Sequence, residues 1–143
     1  MTNPTTDLLG SALYLEVNAG NRSLEIEGKL LLEKKIGRAT IAYNAILEAK
    51  WAGRNLSEET GGEVAQTLGA SLELNKHFSA GLEALHEIDL PDWSESEKSV
   101  VWLGPNASFR ARNFYATVTG LFRVTSNEDE PSVQTRLIFG FSF

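Results

Sequence analysis

Residues 136–143 read RLIFGFSF, an alternation that places Phe139, Phe141 and Phe143 on one side of an extended chain. Strand side chains repeat every two residues, so Leu137, Thr135 and Val133 extend that side backwards. Gln134, Arg136, Ile138, Gly140 and Ser142 occupy the other. A strand this apolar on one side needs cover, from a protein core or from lipid. Which of the two covers it decides the architecture of the whole chain.

The same period of two runs through the sequence. SALYLEVN (11–18) sets Leu13, Leu15 and Val17 against Tyr14, Glu16 and Asn18. SLEIEGKLLLE (23–33) and ATIAYNAILEAKW (39–51) follow, with Leu24, Ile26, Ile41 and Leu47 opposed to Glu25, Glu27, Lys29, Glu48 and Lys50. EVAQTLGASLEL (63–74), FSAGLEALHEI (78–88), VVWLGPNASF (100–109) and NFYATVTGLFRV (113–124) repeat the theme, with Gln66 out of place among the apolar set. With the C-terminal run this predicts about eight strands. Helix competes over 63–88, where Ala, Leu and Glu are frequent. Gly69 and Gly81 and the fit to strand length favour β.

The connections carry a second signal. After a first short link, long segments (AGRNLSEETGG, DLPDWSESEKS, TSNEDEPS) alternate with tight ones (KKIGR, NKH, RAR). In an up-and-down antiparallel sheet all the long segments emerge at one end. A soluble sandwich has no reason to sort its loops in this way, whereas outer-membrane barrels pair short turns at one end with longer loops at the other.

One face of each strand is nearly free of charge. The other carries Glu16, Glu25, Glu27, Lys29, Glu33, Glu48, Lys50, Glu63, Glu73, Glu83, Glu87, Arg123 and Arg136. Two barrels fit. A soluble lipocalin-like barrel turns the apolar face inward around an apolar small molecule. A membrane barrel inverts the faces, apolar to lipid and ionic within. In the second case Glu25, Glu27, Lys29, Glu48, Lys50, Glu73, Glu83, Arg123 and Arg136 form a polar network facing the lumen. Carboxylates exceed cations there, and a wider, wetter barrel relieves that excess better than a narrow one. Aromatic residues near strand ends (Tyr43, Trp51, Phe78, Phe109, Phe114, Phe122, Phe143) suit the interfacial girdles of such barrels.

Composition narrows the function. The 143 residues suit one domain, 1–143, with 1–6 as an N-terminal tail. A net charge of −6 argues against nucleic acid as a partner. The absence of cysteine excludes disulfides, thiolate metal sites and cysteine nucleophiles. No apolar run is long enough for a spanning helix, and the opening MTNPTTDLLG is not an export signal, so an exported protein would be a mature or shortened form.

Few residues suggest chemistry. His86, read as lying near Glu83 and Glu87 close to a strand end, could join Ser94 or Ser96 in a lipid hydrolase at the barrel rim, but no nucleophile signature accompanies it. His77 sits in the NKH turn. The acidic segments 89–99 and 126–131 lack the regular ligand spacing of a calcium loop. No catalytic residue, metal site or cofactor is expected.

The terminal run TRLIFGFSF resembles the last strand of Gram-negative outer-membrane β-barrels, with Leu137, Phe139, Phe141 and Phe143 at the matching positions. ALYLEVN, FSAGLEAL and VWLGPNASFRARNFYATVTGLF are similar to the C-terminal part of a poorly characterised family of bacterial outer-membrane proteins, whose members are longer and begin with a signal peptide. The resemblance implies a C-terminal signal read by the outer-membrane assembly machinery, and no catalytic residues. The expectation is an all-β, antiparallel up-and-down transmembrane β-barrel of about eight strands in the bacterial outer membrane. It would be non-enzymatic, a scaffold or a narrow porin-like pore for passive transport, with membrane lipid or detergent as partner and its oligomeric state open.

Overall fold

The computed structural model describes residues 8–54, 56, 59–93, 99–126 and 131–141. The expected tail 1–6, Ser94, Ser96 and Phe143 lie outside them. Eight strands follow in order: β1 (Gly10–Ala19), β2 (Ser23–Ile36), β3 (Ala39–Ala52), β4 (Glu59–Glu73), β5 (Phe78–Leu90), β6 (Val100–Arg110), β7 (Phe114–Arg123) and β8 (Val133–Phe141). Each pairs antiparallel with its sequence neighbour, giving one curled up-and-down sheet, a half-barrel. Among the described residues there is no helix, and 63–73 and 78–88 are strand, as the alternation predicted.

Loop lengths sort by parity as expected. The turns at 37–38, 74–77 and 111–113 share one end, and the connections 53–58, 91–99 and 124–132 share the other. KKIGR shrinks to a two-residue turn because Lys34, Lys35 and Ile36 continue the ladder opposite Ile41, Thr40 and Ala39. Gly37 supplies the positive φ of 61° that this tight reversal needs. The third connection is also shorter than expected, because β4 begins at Glu59 and Gly61 and Gly62 pair with Lys50 and Ala49.

The faces divide as the alternation predicts, and burial says which is inside. On one face Leu13, Leu137 and Phe139 are 76%, 64% and 61% exposed, and Leu15, Leu47, Leu82 and Phe122 are also exposed. On the other face Leu121, Leu85 and Trp102 are 0%, 2% and 3% exposed. The charged face is therefore the inner one, and the apolar face is turned out.

The curl is uneven. Between β6 and β7 the regular ladder is interrupted after the Leu103–Phe122 pair and resumes at Asn106–Thr119. Pro105 has no N–H to donate at that break. At Gly104 an added Cβ would stand 1.7 Å from the Gly120 carbonyl oxygen, so only glycine admits this approach. The sheet bends sharply there and brings Leu85, Val100, Trp102 and Leu121 into one small inner cluster. Trp102 Nε1 donates to the Pro131 carbonyl at 3.3 Å, tying the β7–β8 connection to this cluster.

The expected all-β, antiparallel up-and-down sheet of eight strands is present, curled as a half-barrel. β1 and β8 are its two edges, and among the described residues no ladder joins them. Inner side-chain contacts that skip strands lie over β5–β8, where Glu83 of β5 meets Thr119 of β7 and Arg136 of β8.

Candidate functional site

The inner face is the candidate site, and the cross-strand register assembles it. Glu16, Glu27, Glu48, Glu63 and Asp89 stand directly opposite one another across β1 to β5. Like charges in direct opposition repel, so such a row requires compensation or water. Lys29 Nζ lies 2.6 Å from Glu27 Oε1, two residues along the same strand, and Lys50 pairs in the same way with Glu48. Lys29 also stands over the Tyr14 ring, 5.4 Å from its centroid. Tyr14 OH and Asn18 Nδ2 donate to the two oxygens of Glu16 at 2.6 and 3.1 Å. Glu25 is opposite both Asn18 and Lys50.

A second polar group forms inside the tight bend. Arg136 of β8 reaches across to Glu83 of β5, and Thr119 Oγ1 of β7 donates to the other Glu83 oxygen at 3.2 Å. Gly104 of β6, opposite Glu83, contributes no side chain to obstruct this reach. Asn44 donates to Thr67 at 2.7 Å, and Ser108 and Thr117 share a hydrogen bond of 2.8 Å. Every strand from β3 to β8 therefore contributes a polar group to these inner-face contacts, β6 through Ser108.

At the short-turn end Lys35 Nζ contacts Glu73 at 2.5 Å, and Arg38 Nε donates to the Glu73 carbonyl at 2.8 Å. The nine expected network residues therefore share the inner face, yet they form separate groups. Glu25, Glu27, Lys29, Glu48 and Lys50 gather on β2–β3, Glu73 sits at the turn end, Glu83 and Arg136 bridge the bend, and Arg123 stands opposite Trp102. Sequence reasoning left Asp89 off this face's list and could not see the five-strand row. That row depends on register, which no single strand's pattern contains. Nor did it foresee that Leu85, Trp102 and Leu121 would fill the inner face of β5–β7.

His86 requires a correction. It is mid-strand, opposite Gln66 and Val101 on the outer face, whereas Glu83 and Glu87 point inward. Odd and even residues of a strand cannot share a side, so no His–Glu pairing follows from proximity in sequence. Gln66, the residue out of pattern, accepts a 2.8 Å hydrogen bond from Tyr43 OH on the same outer face. His77 Nδ1 lies 2.9 Å from the Arg110 carbonyl, a turn contact.

The outer face carries an aromatic chain at the short-turn end. Phe78 and Phe109 have ring centroids 5.0 Å apart, Phe109 and Phe114 6.3 Å, and Phe114 and Phe141 5.0 Å. Four strands thus contribute to one belt at one level. At the opposite end Asn18, Glu25, Lys50, Trp51, Thr60 and Asp89 border an open cleft of about 770 Å³. Among the described residues no group of His, Asp or Glu is arranged to hold a metal ion.

No family model, curated protein or solved structure matches this chain. The functional reading rests on the faces themselves.

Proposed function

We propose that the chain is an integral β-barrel protein of the bacterial outer membrane, without enzymatic activity, acting as a scaffold or a passive pore. One observation carries this reading: a predominantly apolar, solvent-exposed outer face with members on all eight strands, broken by the Gln66–His86 pair and by Lys34 near a turn, and belted with phenylalanine at the turn end. Water-soluble proteins rarely expose a contiguous apolar patch of this extent. Hydrocarbon is the medium in which it costs nothing. A strand of ten residues is about 33 Å long, and tilted as in known barrels it spans a band about 25 Å tall. Strands of 9 to 15 residues meet that requirement.

The lipocalin-like alternative needs the apolar face inside and the carboxylates wetted outside, the reverse of the burial described above. The hydrolase alternative needs His86 beside an acid, and its side chain faces away from both neighbouring glutamates. Leu137, Phe139 and Phe141 on β8 suit the C-terminal signal that the resemblance implies.

The test is partition. The refolded chain should float with phospholipid vesicles, need micelles to stay dispersed, and migrate differently on gels before and after boiling. A stable monomer in plain buffer would sink the reading. Conductance across a planar bilayer then separates pore from scaffold.

A further inference from the structure

We infer that two copies of this chain close a single barrel of sixteen strands, β8 of each pairing antiparallel with β1 of the other. The inference rests on the membrane reading above, because lipid is what makes an open edge untenable. In hydrocarbon every outward N–H and C=O of an edge strand lacks a partner, at several kcal/mol each.

Four features of the two edges favour a second copy. Their lengths match, ten residues in β1 and nine in β8. Their directions are opposite, because an even number of antiparallel strands separates them. A two-fold axis along the barrel therefore continues the up-and-down order, with the long connections of both copies at the same end. Their outer sides are alike: Leu13, Leu15 and Val17 on β1 and Leu137, Phe139 and Phe141 on β8 keep the apolar band whole across the seam. Their inner sides are alike in being polar: Tyr14, Glu16 and Asn18 on β1, Gln134 and Arg136 on β8.

Self-closure of one chain meets a charge obstacle. An eight-stranded barrel is filled by side chains, and it would press Glu16, Glu27, Glu48, Glu63 and Asp89 into a dry interior beside the Leu85–Trp102–Leu121 cluster. Sixteen strands leave an aqueous lumen in which an acidic row stays hydrated.

The chain has no cysteine, so introduced thiols report cleanly. Leu15→Cys and Leu137→Cys would be prepared as separate variants, co-refolded in detergent, and treated with a short bis-maleimide. Leu13→Cys and Phe139→Cys give a second pair if the first folds poorly, and whichever pair links reports the register. The expected product is a species of twice the 15.7 kDa chain, at least tenfold more abundant from the mixture than from either variant alone. Linking at monomer mass in the Leu15→Cys/Leu137→Cys double variant, with none in the mixture, would mean the chain closes on itself and would overturn the proposal. A monomer by light scattering in detergent, with no link from any pair, would overturn it too, and would assign the edges to strands of another polypeptide or of a longer chain. Vesicle flotation of the unmodified protein is read separately. Flotation without linking rejects the pairing alone, and linking without flotation rejects the membrane reading alone.

Discussion

β1–β3 and β5–β7 present the same outer face and different inner ones. Outside, both are apolar and open to the surroundings, with leucine, valine and isoleucine on β1–β3 and leucine, valine and phenylalanine on β5–β7. Inside, β1–β3 display Glu16, Glu25, Glu27, Lys29, Glu48 and Lys50, with Glu27 and Glu48 paired along their strands to the more exposed Lys29 and Lys50. β5–β7 instead enclose Leu85, Trp102 and Leu121, with Thr119 and Glu83 bonded above them. The difference follows curvature. Where Gly104 and Pro105 interrupt the ladder, inner side chains meet one another and are mostly apolar or bonded. Where the sheet stays open, inner side chains meet water and ions are tolerated.

The largest effect should come from filling the bend. Gly104→Val drives a side chain into the Gly120 carbonyl, and loss of the heat-modifiable band is expected, a destabilisation above about 4 kcal/mol. Gly28→Ala is the control in the open region. Nothing lies within 4 Å of its added Cβ, and its melting transition should move by less than about 0.5 kcal/mol. Equal damage from both would break the comparison.

Arginine on the outer face should instead treat the two regions alike. Leu15→Arg on β1 and Leu82→Arg on β5 are each expected to cost about 2–4 kcal/mol of folding free energy in lipid, measured by denaturant titration in vesicles. A variant that becomes more stable in vesicles would contradict a lipid-facing surface. Inside, the regions should separate again. Arg136→Ala leaves Glu83 partly buried with only Thr119, at about 2–3 kcal/mol. Lys50→Ala removes a more exposed partner of Glu48 and should change stability by about 1 kcal/mol or less in the same titration.

Much of this was legible from residue order. A period of two, sustained from Leu13 to Phe141, is enough to define strands and to sort side chains between two faces. Loop length is local as well, so the parity of KKIGR, NKH and RAR against the longer connections already implied two unlike ends. Even the misfit of Gln66 was visible, although its hydrogen bond to Tyr43 was not. His86 shows the limit of proximity in sequence, since alternation itself places it on the other side from Glu83 and Glu87.

The order of residues by itself determined the strands, their meander and the composition of each face, because these depend on neighbours one or two positions away. Tertiary structure alone decided the rest: the alignment of Glu16, Glu27, Glu48, Glu63 and Asp89, the bend at Gly104 that seals Leu121, and the two edges that do not meet. Register and curvature arise from contacts between residues far apart in the chain, where a displacement of one position exchanges every side chain between faces.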